Sequence, residues 1–125
     1  VTSYVHPWLY SLLTGDETML GAVTSPGDMT QKAYAVGMHC EASKPGSYSI
    51  KQKLLNGPAI WIGRSAAGRI AGATHHAVVL TGYDDSGTEI LLYINDPYPV
   101  GKGQRLILSK SELEAQLVFD RILNY

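Results

Sequence analysis

The most constraining stretch of the chain is 74–97, THHAVVLTGYDDSGTEILLYINDP, in which two apolar runs rich in branched residues flank a short polar turn. Branched and aromatic side chains favour extended backbone, and the Asp, Ser and Gly residues at 84–87 supply the turn. Residues 76–83 and 89–95 are therefore expected to pair as an antiparallel hairpin. In such a hairpin the first residues of one strand lie beside the last residues of the other. Two histidines open the first strand and an Asn-Asp pair closes the second, so His76 is brought near Asn95 or Asp96. An imidazole titrates near neutrality, and a carboxamide or carboxylate on one ring nitrogen selects the tautomer it presents. Such a pair is the base half of a nucleophilic site. The competing local reading is a histidine satisfied at a strand end, with Asp96 and Pro97 serving only as a turn.

Ahead of the hairpin the periodicity is helical. Val5, Trp8, Leu9, Leu12 and Leu13 recur at three-to-four spacing, predicting a short amphipathic helix within 1–14 that Gly15 stops. Asp28 is a candidate cap for a second helix through Tyr34, ended by Gly37. A short strand is expected over 38–42, then a helix from Ser47 or Ser49 to Leu55, closed by Asn56, Gly57 and Pro58. A buried strand at 59–63 follows, and a glycine-rich loop at 66–74 leads into the hairpin. After the loop 96–103, a strand over 104–108 and a helix over 112–117 capped by Ser109 or Ser111 complete the expectation. Helices first and an antiparallel sheet after is the order of an α+β domain, with a helical part at 1–57 and a sheet part at 58–125.

A length of 125 residues, 45% of them hydrophobic, suits a single domain with its own core. Ten basic and eleven acidic residues give a net charge of -1 without a basic cluster, so nucleic acid is not an expected partner. No apolar run approaches the ~20 residues that span a bilayer, so no membrane partner is expected either. The single cysteine, Cys40, excludes an internal disulfide and leaves the compartment open. The neighbours His39 and Cys40, or His75 and His76, do not have the spacing of a metal site, and neither a metal nor a cofactor is expected. The loop around Gly63 and Gly68 lacks the Gly-Lys-Ser/Thr ending of a phosphate cradle and reads instead as the rim of a cleft. Trp61, on the strand leading to that rim, is a candidate groove-lining residue, together with His75 and Gly72.

The segments LLNGPAIWIG, HHAVVLTGYDDSG and LLYINDPYPVGKG, followed by a closing helix, carry a resemblance in both order and spacing. From about Lys51 to Leu117 the chain resembles the C-terminal half of bacterial papain-like cysteine peptidases of the C39-like and AvrRpt2-like (C70) type. The resemblance implies a papain-like fold, with N-terminal helices, a twisted antiparallel sheet or half-barrel and a C-terminal helix. It implies that the catalytic histidine stands six residues before the Gly of a Gly-Tyr turn, which is His76 ahead of Gly82 and Tyr83. His75 is then its neighbour on the opposite face of the strand. The third member of the site falls at the NDP position, Asn95 first and Asp96 second.

The family's nucleophilic cysteine begins a long buried helix, where free amides and the helix dipole favour the thiolate. Cys40 stands between His39 and Glu41 with Pro45 and Gly46 close behind, so it has no helix to begin and reads as a small hydrophobe in a short strand. Three explanations remain: a cysteine segment outside this chain, a degenerate relative, or a displaced nucleophile at Cys40. The first is preferred, because the chain starts at Val1, without an initiator methionine, as though inside a domain. On that reading the substrate is a peptide or protein. The partner is the missing N-terminal half as a second chain, or an inhibitory or immunity protein, and the parent is a bacterial effector, a toxin or a self-processing protein. The rival function is an inactive papain-like module that binds a peptide or protein partner.

Overall fold

A computed structural model describes residues 26–65, 75–98 and 102–125. The helix expected over 1–14, the loop 66–74 and Gly72 within it lie outside the described residues. Helix α1 (Pro26–Ala35) starts two residues ahead of Asp28, with proline in its first turn where no amide is needed. Strand β1 (His39–Glu41) follows, then helix α2 (Ser47–Leu55). That helix ends as its sequence dictates: Asn56 is the C-cap, Gly57 takes a φ of 134°, and Pro58 prevents continuation.

The strands β2 (Ala59–Ser65), β3 (His75–Asp84), β4 (Leu91–Asp96) and β5 (Gln104–Ser109) run as an antiparallel meander. The expected hairpin is the β3–β4 pair. Helix α3 (Lys110–Gln116) comes next, and its cap is Ser109: the hydroxyl accepts from the Glu112 amide at 3.1 Å, and the Glu112 carboxylate accepts from the Ser109 amide at 3.0 Å.

The chain does not finish on a helix. Strand β6 (Leu117–Asn124) follows directly and enters the sheet between β1 and β2, giving the six-stranded order β1-β6-β2-β3-β4-β5. The sequence predicts a closing helix and no strand after it; Asp120 and Arg121 interrupt the apolar pattern of this one. Both charges are satisfied locally: Arg121 donates to Asp120 at 2.7 Å and to Thr30 of α1 at 3.2 Å.

Both faces of the central strands are covered, which explains the nearly continuous apolar run of β2. On one face Ile60, Ile62, Ala77, Val79 and Leu123 pack with Ala33 and Met38. On the other, Trp61, Val78, Leu80, Ile94 and Ile122 pack with Ile50 of α2 and Leu113 of α3. Between Ile62 and Gly63 the β2–β6 register shifts by a bulge. A Cβ on Gly63 would lie 2.8 Å from the Val118 carbonyl oxygen and 2.9 Å from Leu117. Only glycine lets the two backbones approach this closely, and Gly63 is also the β2 partner of His76.

Gly63→Ala is expected to cost about 1–3 kcal/mol, because backbone must move to admit the methyl group; urea unfolding would show it as a lower midpoint. The Glu112 carboxyl is held below the ordinary glutamate range by the Ser109 amide first and the Ser109 hydroxyl second. A carboxyl lowered in this way stabilises the fold above its unfolded value, and the contribution is lost as pH falls through the lowered one. Ser109→Ala should therefore destabilise by about 1 kcal/mol at neutral pH, with a gap to the parent protein that narrows on acidification.

Candidate active site

His76 sits at the second position of β3, in register with Gly63 of β2. Its distance from residue 96 along the chain is closed by the β3–β4 register, which pairs Val79 with Asn95 and Leu80 with Ile94. Successive side chains on a strand point to opposite faces. Asn95 therefore shares the face of Val79, and Asp96 shares the face of Val78 and His76. The structure brings His76 to Asp96: Nε2 lies 2.6 Å from Oδ1. Asn95, half-buried and in register with Val79 and Arg105, projects from the opposite face.

The carboxylate is fully buried, at 0% exposure, and the His76 side chain is only 12% exposed. A buried carboxylate is costly unless it is met by donors. Here Oδ1 also accepts the Tyr98 backbone N–H at 3.0 Å. The intervening Pro97 has no amide to compete for the carboxylate, and the three residues Asp96, Pro97 and Tyr98 form an Asx turn. The Tyr98 ring lies near-perpendicular to the imidazole, at 84° with centroids 6.3 Å apart. Because the carboxylate only accepts, the neutral form of the imidazole carries its hydrogen on Nε2 and its lone pair on Nδ1. The group is thus a base oriented by an acid, with its free basic nitrogen on the far side of the ring from Asp96.

The other expected site residues do not join it. Trp61 is at 0% exposure, donates Nε1–H to the Leu117 carbonyl at 3.3 Å and meets Phe119 edge-on at 4.9 Å. It is a core residue, and the expectation that it lines a groove is corrected by that burial. His75, half-buried and in register with Arg64, projects from the face opposite His76 and does not flank the pair from that side.

Cys40 lies on β1, opposite Leu123 of β6, packed against the core cluster of Ala33, Met38 and Ala77. Leu123 pairs with Ile60, and Ile60 with Val79, so Cys40 shares the face of Val79 and not that of His76. Three strand spacings also separate β1 from β3, roughly 14 Å. Cys40 and His76 are not brought together. Sequence reasoning missed Tyr98, whose signal was its place two residues after Asp96, where an Asx turn donates an amide.

The profile of the Peptidase_C39 like family matches residues 15–122. The chain belongs to that family. No curated protein and no solved structure matches it. The C39-like match spans β1 to β5 and β6 as far as Ile122, including the hairpin that carries His76 and Asp96. The six-stranded antiparallel sheet with its few helices is an α+β architecture compatible with a peptidase-like domain.

Replacing Asp96 with Ala leaves the His76 Nε2–H and the Tyr98 amide without their acceptor, an expected loss of about 1–3 kcal/mol in unfolding free energy. Asn95→Ala should stay within about 0.5 kcal/mol of the parent protein. Equal losses in the two variants would contradict the pairing described above.

Proposed function

We propose that this C39-like chain supplies the base half of a thiol-dependent peptidase, with His76 as general base and acid and Asp96 as the residue that orients it. The observation that carries the reading is the 2.6 Å contact between His76 Nε2 and a fully buried Asp96 carboxylate. Membership of the Peptidase_C39 like family supports the reaction class. Nδ1 takes the proton of a cysteine thiol, and the thiolate adds to the scissile carbonyl. The resulting imidazolium, stabilised by Asp96, returns that proton to the departing amine as the C–N bond breaks, leaving a thioester. Water, deprotonated by Nδ1, then cleaves the thioester and regenerates the thiol. The bond cleaved in this reading is a peptide or isopeptide bond, in the parent polypeptide or in a second protein.

In this reading the thiol comes from outside this sequence, since its single cysteine, Cys40, stands on the other face of the sheet from His76. A second reading rests on that same displacement: a papain-like module that binds a peptide without cleaving it. A thiol-directed peptidyl electrophile applied to the full-length parent protein separates the two. In the peptidase reading the parent is labelled, His76→Ala slows labelling by at least roughly 100-fold, and Cys40→Ala leaves the rate unchanged. An intact parent that takes no label would remove the peptidase reading and favour the binding module.

A further inference from the structure

We infer that Tyr98 is a positioning residue for His76, acting through its ring on the imidazole and through its amide on Asp96. The inference deepens the reading of His76 as the base. A single hydrogen bond at Nε2 fixes one point of the imidazole ring. Rotation about the Cβ–Cγ bond, a broad torsion for histidine, can still stretch that hydrogen bond, turn Nδ1 away from an incoming thiol and let the hydrogen exchange between the two nitrogens. The Tyr98 ring meets the imidazole near-perpendicularly with centroids 6.3 Å apart, an edge-to-face contact that depends on the plane of the imidazole and is lost when that plane turns. Tyr98 is itself anchored: its amide donates to Oδ1 of Asp96, the same oxygen that meets His76. Pro97 restricts the backbone between the two, so the carboxylate and the tyrosine that both meet the imidazole are held as one unit.

The two contributions of Tyr98 come from different parts of the residue, which makes them separable. A side-chain substitution keeps the amide and hence the support of Asp96, while the ring is removed. Tyr98 is 36% exposed, so its replacement does not open a buried cavity.

The test is long-range ¹H–¹⁵N correlation spectroscopy of the imidazole of His76, in the parent chain and in Tyr98→Leu, Tyr98→Ala and Tyr98→Phe. The parent chain and Tyr98→Phe are expected to give a single-tautomer pattern with the hydrogen on Nε2. Tyr98→Leu and Tyr98→Ala are expected to lose it, moving both nitrogen shifts toward their average. A merely structural role would leave the tautomer pattern intact in every variant that folds, and that result would overturn the proposal, as would loss of the pattern in Tyr98→Phe. If Tyr98→Ala fails to fold, the Leu variant, which keeps apolar bulk without a planar ring, decides. This readout requires no catalysis: a parent protein that resists the thiol-directed electrophile would defeat the peptidase reading while leaving the tautomer result standing, and the reverse also holds.

Discussion

A carboxylate without access to water sets the terms for this end of the sheet. Asp96 has to be met by donors or be discharged, and the donors that meet it include a ring nitrogen and a backbone amide on the same oxygen. The imidazole is thereby held in one tautomer, and the chain after Asp96 is bent into a turn that returns Tyr98 to the imidazole. None of this is local to His76. It needs β3 and β4 in a register that puts residues 76, 78 and 96 on one face, and a slip of one residue would present Asn95 in place of Asp96.

The register is in turn imposed by the core. Val78, Leu80 and Ile94 face the layer built on α2 and α3, while Ala77 and Val79 face the layer built on α1. Strand β4 alternates the exposed Leu91 and Tyr93 with the buried Leu92, Ile94 and Asp96, so a slip of one residue would turn its whole buried set outward. Gly63 adds a second condition, because β2 reaches His76 only where β6 approaches closely enough to exclude a side chain. Packing and chemistry therefore share residues, and the base is held by the most tightly fitted part of the fold.

Much of this was legible in the chain itself. The hairpin, its turn and the approach of His76 to the Asn-Asp pair follow from two apolar runs and a polar break, and the stop at Asn56, Gly57 and Pro58 follows from backbone preferences. The choice between Asn95 and Asp96 was not legible, because it depends on the parity of cross-strand register, which the extent of an apolar run does not specify. Strand β6 was missed for a different reason. Two adjacent charges, Asp120 and Arg121, break its apolar pattern, and Arg121 is satisfied by a residue distant in sequence, Thr30 on α1. Trp61 misled in the opposite sense, since its large ring near a loop suggested a wall of a groove and it is instead fully enclosed by Leu117 and Phe119.

The insertion of β6 between β1 and β2 has a temporal consequence. Strand β1 touches the sheet only through β6, and β6 is made last among the described elements. As the polypeptide emerges from a ribosome, β2 to β5 can zip as a meander of near neighbours, while β1 waits for a partner more than seventy residues downstream. The loop closure that joins the two ends is entropically costly and comes late. The layer that holds Cys40 and α1 is thus the last to be sealed, and the half-sheet bearing the imidazole is assembled before it.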